Sequence, residues 1–225
     1  SVKSMHRLIM SSEAYQRSSE FAPRQAAQDP GNRHYWRFDL QRLDAESIRD
    51  SLLAVSGKLD RTMGGNLLPV ENRAYLFNHT SEDKATYQDI RRRSIYVPVI
   101  RNHLYDFFQL FDYTDASVMN GDRETSTVAP QALLLLNSEI VTELTAAMAE
   151  RLLGMEMSDE RRIERLFAEA YGRPPTDAEA EHVWTFLERS ARPAARGVDV
   201  GEAERNAWQM LCQSVVSSSE FLYLR

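Results

Sequence analysis

The stretch FDYTDASVMNGDRETSTVAPQ, residues 111–131, concentrates reactive side chains more than any other part of the chain. Asp112, Asp115, Asp122 and Glu124 could gather hard oxygen ligands for Ca²⁺ or Mg²⁺. Two of these carboxylates about 5–10 Å apart in a cleft, one with its pKa raised, could serve as acid and base on a polysaccharide or its esters. The spacing lacks the alternate-residue pattern of an EF-hand loop, and Asn120-Gly121 reads as a tight turn, so no metal is expected. The same residues support a structural reading, in which Asp115, Arg123 and Thr127 form a charge-assisted hydrogen-bond cluster that fixes the loop ahead of Pro130. Arg123 lies just before an apolar helix, where an isolated buried charge is costly. The expected partner of its guanidinium is therefore Asp112 or Asp115, closing the loop over the helix that starts near Pro130. Gln131, Arg42 and Arg49 join Arg123 and Thr127 as candidates for holding this loop or a ligand.

A second candidate is NRHYWR, where Tyr35, Trp36 and Arg37 bring aromatic rings and a guanidinium together. Such a platform could stack on a sugar or on a partner's aromatic ring, but such a run more often is a loop pinned to a helical body by its aromatic residues. Other chemistries lack their residues. Cys212 is the single cysteine, so the chain holds neither an internal disulfide nor a CxxCH haem attachment, and its apolar neighbours Met210, Leu211 and Val215 mark it as a small buried hydrophobe. None of His6, His34, His79, His103 and His182 pairs with another at helical zinc spacing. Ser11, Ser12 and the serines of 217–219 have no flanking glycines to build a nucleophile elbow.

Composition narrows the partners. With 27 basic against 33 acidic residues and a formal charge of −6, a sequence-independent nucleic-acid binder is not expected. The run Arg91-Arg92-Arg93 reads as a solvated turn ahead of a buried segment. No apolar run approaches the roughly 20 residues of a membrane span. The first residues are polar and helix-patterned instead of forming a leader, and a start on Ser-Val-Lys reads as a piece of something longer.

The elements that must position these residues are helical. Val2, Met5, Leu8 and Ile9 predict a short amphipathic helix that stops near Ser11-Ser12, and residues 18–33 read as a loop. Asp44 is a plausible N-cap for a helix whose face is Ile48, Leu52 and Val55, with Gly57 placed for a left-handed C-cap. Residues 62–93 have the least periodicity. Met63-Gly64-Gly65-Asn66 must turn, and 78–89 is a loop or one weak helix. Residues 94–100 read as an extended segment or short edge strand, since Pro98 cannot donate to a ladder. Leu104, Phe107, Phe108 and Phe111 give a helical face.

Pro130 fits the first turn of a helix whose Leu133 to Leu136 are apolar all round and expected in the core. Further helices follow with Ile140, Val141, Leu144, Met148 and Leu152, then with Ile163, Leu166, Phe167 and Tyr171 up to Gly172. Thr176-Asp177-Ala178-Glu179 is a capping box, and the last helix carries Ala207, Met210, Leu211 and Val215. LIMSSEAYQRS near the start and VVSSSEFLYLR at the end share one pattern, read as the same helix-ending device used twice.

Several blocks appear in a fixed order: NRHYWRFDLQRLDAESIRDSLLAVSGKLD, RRSIYVPVIRN, FDYTDAS, TSTVAPQALLLLNSEIV, YGRPPTDAEAE and SSSEFLYLR. Together they resemble the C-terminal domain of unknown function of large planctomycete and verrucomicrobial exported proteins that also carry cytochrome-c-like domains. The resemblance implies an exported chain, periplasmic or at the cell surface, that forms the C-terminal part of a longer protein. Haem c would belong only to an upstream domain, with no cofactor in this chain. Pro98 and Thr114 depart from the family pattern. The resemblance carries over no catalytic residue.

The expected fold is all-α: an irregular multi-helix bundle with long loops and at most one short extended segment near 94–100. It forms a single helical domain over 1–225, divisible into a loop-rich half (1–125) and a compact helical half (126–225). The first functional reading is a non-catalytic scaffold that packs against neighbouring domains of the same polypeptide. The rivals are a hydrolase acting through the acidic loop and a glycan-binding module.

Overall fold

The periodic apolar residues of the first turns wind into helix α1 (Val2–Met10). It ends where the Ser12 hydroxyl donates to the Ile9 carbonyl at 2.7 Å and accepts the Tyr15 amide at 3.3 Å. The computed structural model describes residues 1–65, 67, 87, 89–100, 104–115, 119, 121, 123–190 and 199–224. They fall into two units, Ser1–Leu43 with Tyr223–Arg225, and Asp44–Leu222. The units part at Asp44 and Tyr223.

In the first unit, residues 18–33 contain a short helix, α2 (Pro23–Gln28), where a loop was expected. Pro23 starts it, because the missing N–H is not needed in a first turn and φ is already helical. Strand β1 (Gln41–Arg42) pairs antiparallel with β2 (Tyr223–Leu224), with Gln41 opposite Leu224 and Arg42 opposite Tyr223. This ladder is the only sheet among the described residues.

The second unit opens with α3 (Ala45–Val55), capped by the Asp44 carboxylate, which accepts the Ser47 amide at 2.9 Å. Its far end closes as a Schellman turn. The Lys58 amide donates to the Leu53 carbonyl at 2.9 Å and the Gly57 amide to Ala54 at 3.0 Å, with Gly57 at φ 78°. Gly64 and Gly65 both turn through positive φ. The stretch 78–89 lies largely outside the described residues.

Segment 94–100, expected as an extended segment or a short edge strand, is extended only in part and joins no sheet among the described residues. It forms a single 3-10 turn at Ser94–Tyr96 and then runs extended through Val97. Pro98 has no N–H to offer, and the Ser94 amide is already held by Asp50 at 2.7 Å.

Helix α4 (Asp106–Leu110) buries Phe107 and Phe108, and Phe111 continues that face just beyond it. Helix α5 (Ala129–Asn137) carries Pro130 in its first turn, as expected. Its leucines are not buried all round: Leu135 is buried, but Leu133 and Leu136 are 57% and 53% exposed. Gln131 and Leu135 are the buried residues of α5, which packs on α4, α6 and α9.

Four further helices complete the unit with α5: α6 (Glu139–Leu153), α7 (Asp159–Tyr171), α8 (Asp177–Ser190) and α9 (Val200–Val216), followed by the single turn α10 (Ser219–Leu222). The main contact is α6 along α9. Helix α8 packs on α9, and α3 joins α4 and α6. Ile48, Leu144, Met148, Leu152, Ile163, Leu166, Ala207, Trp208 and Leu211 form the core between them.

Gly172 ends α7 at φ 72°. The Thr176–Glu179 capping box is complete, with the Thr176 amide on Glu179 Oε2 at 2.7 Å and the Glu179 amide on Thr176 Oγ1 at 3.3 Å. Cys212 is fully buried, and burial pushes its thiol up to about 12. With ten α-helices among the described residues, the fold is all-α. No single helix is long and apolar enough to cross a membrane.

Candidate functional site

Helix α3 gathers the chemistry-bearing residues of the second unit. Arg49 is 1% exposed on its inner face. Its guanidinium donates to the Arg92 carbonyl at 2.9 Å, to Ser94 Oγ at 3.1 Å and to the Ile90 carbonyl, and it lies 5.9 Å from the centre of the Tyr105 ring. Beside it, Asp50 Oδ1 accepts both the amide and the hydroxyl of Ser94 at 2.7 Å. A buried charge is tolerable only with such partners. Adjacent residues of one helix thereby hold the segment 90–94 across its surface.

The arginine run that follows has three separate roles. Arg91 pairs with both oxygens of Glu143 at 2.8 and 2.6 Å. Arg92 donates to the Gly64 carbonyl at 2.7 Å and stacks on Tyr96, with Asp60 3.8 Å away. Arg93 stays exposed without a protein partner among the described residues.

The acidic loop is organised differently from the expected cluster. Asp112, at φ 59°, turns the chain out of α4, and its carboxylate accepts the Ser126 amide and hydroxyl, each at 2.8 Å. Buried Gln131 donates to the Leu110 carbonyl at 2.9 Å and to the Ser126 carbonyl at 3.2 Å, while its own oxygen accepts the Val128 amide at 3.3 Å. Arg123 is held by neither Asp112 nor Asp115. It makes a two-pronged pair with Glu46 at 2.7 and 2.8 Å, with Asp44 3.7 Å away.

Two causes are visible: Ser126 already occupies Asp112, and the first turn of α3 presents two carboxylates where the helix dipole favours negative charge. The loop is thus tied to α3 and not folded over α5. Asp115, Glu124 and Thr127 are exposed, and Asp122 lies outside the described residues.

Arg123→Ala is expected to cost about 1 kcal/mol in urea unfolding, because Arg123 and Glu46 keep 39% and 24% of their side chains exposed. Glu46→Ala should cost about as much, and the double variant little more than either alone.

Between α3, the 93–99 segment and the acidic loop lies an open groove of about 710 Å³. Ser47, Asp50 and Ser51 line it from α3, with Ile95, Val99, Tyr113, Arg61 and Arg93 among its other lining residues. A second concavity of about 470 Å³ is lined by Tyr105, Phe107, Asp89, Asp106, Glu139 and the Arg91–Glu143 pair. Among the described residues no cluster of His, Cys, Asp or Glu could hold a metal ion. Glu46, Asp50, Ser94 and Ser126 were not singled out from sequence. The acidic first turn of the RLDAESIRD helix was the available signal for the first of them.

The aromatic–arginine candidates belong to the first unit and knit its loop together. Trp36 Nε1 donates to the Asp29 carbonyl at 2.9 Å, and the Asp29 carboxylate accepts the His34 amide at 2.8 Å. The Arg37 guanidinium lies 5.1 Å from the Trp36 ring centre, and Phe21 meets Trp36 edge-on. Tyr35, at φ 52°, is exposed. Arg42 sits in β1 opposite Tyr223.

A family model described as PSD1, Protein of unknown function (DUF1553), matches residues 1–187. No curated protein and no solved structure matches the chain.

Proposed function

Since the chain belongs to the PSD1 family of proteins of unknown function, we propose that it is a non-catalytic helical scaffold and interaction domain that packs against neighbouring domains of an exported, cytochrome-c-linked polypeptide. Export and the haem-bearing neighbour rest on the resemblance of its sequence blocks. The interaction role rests on one observation: the helix-ending device used twice is covered in one copy and bare in the other.

At the C-terminal copy, Ser218 Oγ accepts the Phe221 amide at 3.2 Å, the same kind of bond that Ser12 makes to Tyr15 but one position earlier in the shared pattern. There the paired valines, Val215 and Val216, are 5% and 1% exposed. Glu220 receives Arg173 from the loop after α7, and Ser218 shares a 2.9 Å hydrogen bond with Tyr171. At the N-terminal copy, the equivalent Leu8 and Ile9 are 69% and 49% exposed, no residue of α1 is buried, and Glu13 is exposed. Val2 and Met5 extend the bare stripe. A helix so strongly sided gains its stability from an apolar partner. A neighbouring helical domain that covers Leu8 and Ile9 and offers a cation to Glu13 would complete the arrangement seen at the other end.

Amide exchange tests this. In the longer polypeptide, amides 2–10 should exchange at least about tenfold more slowly than in the chain alone, and Leu8→Glu should abolish the difference. Equal exchange of α1 in both would overturn the proposal.

A further inference from the structure

The groove over α3 carries cationic charge that the described residues do not neutralise. Arg49, Arg92 and Arg123 each have partners: Ser94 and the Ile90 carbonyl, Gly64 and Asp60, and Glu46. The groove's two carboxylates are matched as well, Glu46 by Arg123 and Asp50 by Ser94 and Arg49. Arg61 and Arg93 remain, both exposed and without a protein partner among the described residues, on a chain whose formal charge is −6. Apolar residues line the same groove. Ile95 is 80% exposed, and Val99 and Leu59 are also among the lining residues.

Two classes of anionic partner fit two arginines, and the other lining residues distinguish them. A sugar would need an open aromatic face, but Phe108 stacks on the Tyr113 ring at 4.9 Å and the Arg123 guanidinium lies over it at 5.3 Å. Apolar residues and cations lining one groove suit a partner that offers apolar side chains together with carboxylates. We infer that this groove binds a protein segment in which apolar residues are flanked by carboxylates. Ile95 and Val99 take the apolar side chains, and Arg61 and Arg93 take the acids. The site is separate from the α1 stripe and goes beyond the reading built on it.

A random peptide library displayed on phage, selected on the whole chain and counter-selected on an Arg61→Glu/Arg93→Glu variant, tests the inference. Enriched peptides should carry Asp or Glu beside Leu, Ile or Phe. A synthetic copy should bind at least about tenfold more weakly to Arg61→Gln/Arg93→Gln and to Ile95→Ser, and binding should weaken with added salt. These positions are exposed, so circular dichroism should show the variants folded. Failure to enrich any peptide over the variant, or enrichment of peptides without acids, overturns the inference. Arginine-dependent binding of polygalacturonate in the absence of any enriched peptide would also overturn it, assigning the groove to an acidic polysaccharide. None of these outcomes alters the exchange expected at α1, so the two readings fail separately.

Discussion

Arg49→Ala should destabilise the second unit by about 3–5 kcal/mol in urea unfolding. The guanidinium is buried and joins α3 to the Ile90 and Arg92 carbonyls and to Ser94. Burial pushes its pKa below the ordinary arginine range, and the Tyr105 hydroxyl and the Asp50 carboxylate oppose that shift. The charge is tolerated because these partners surround it, and alanine leaves two part-buried carbonyls without their donor beside a cavity. Arg49→Lys should recover less than half of the loss, since an ammonium cannot reproduce a planar fork reaching three acceptors. Faster amide exchange across 90–97 should accompany either change, because that segment is held from α3. A loss below about 1 kcal/mol for alanine would show that the segment is secured by other contacts.

The second large effect is at Arg173, where the expected signal is a pH dependence. Arg173 makes paired hydrogen bonds with Glu179 at 2.8 and 2.7 Å and with Glu220 at 2.8 Å twice, and its guanidinium lies over Phe167 and Tyr171. These bonds hold the Glu179 carboxyl down to about 2, with the Thr176 amide and hydroxyl helping, and raise the Arg173 guanidinium above its usual range. A carboxylate with a depressed native pKa contributes stability that is complete above its unfolded value, 4.5, and is lost as pH falls towards 2. About a third of each side chain is exposed, so solvent screening reduces the contribution to about 1–2 kcal/mol.

Melting temperature should therefore fall more steeply between pH 5 and pH 2.5 (roughly the span of the titration) in the native chain than in Glu179→Gln. Arg173→Ala should cost about 2 kcal/mol at neutral pH. Parallel melting profiles for the native chain and Glu179→Gln would remove the pair as the source.

Much of the fold was legible because its determinants are local. The Asp44 cap, the Gly57 and Gly172 terminations, Pro130 in a first turn and the Thr176–Glu179 box each involve groups within a turn or two of one another. Backbone sterics and orphan helix-end groups decide such features, and a linear pattern records them. The repeated serine device was legible for the same reason. Residues 18–33 were misread because Pro23 signals a helix start as readily as a loop. The leucines of α5 were misread because apolarity records what a helix can bury, not how many neighbours reach it.

The pairings of the singled-out residues were not legible in the sequence. Arg123, Gln131 and Arg49 stood out by type and position, and all three prove to hold loops. Arg123 meets Glu46 across 77 residues, Arg49 reaches Ser94 across 45, and Arg173 meets Glu220 across 47. At such separations several carboxylates are chemically equivalent, and the nearest in sequence, Asp112 and Asp115, were the natural but incorrect choice for Arg123. The sequence by itself determined most of the helices and their caps, and with one cysteine it left no internal disulfide and no CxxCH attachment. Only the tertiary structure decided which acid each arginine met, which leucines stayed in solvent and which arginines were left over, because a charge takes the partner that packing delivers to it.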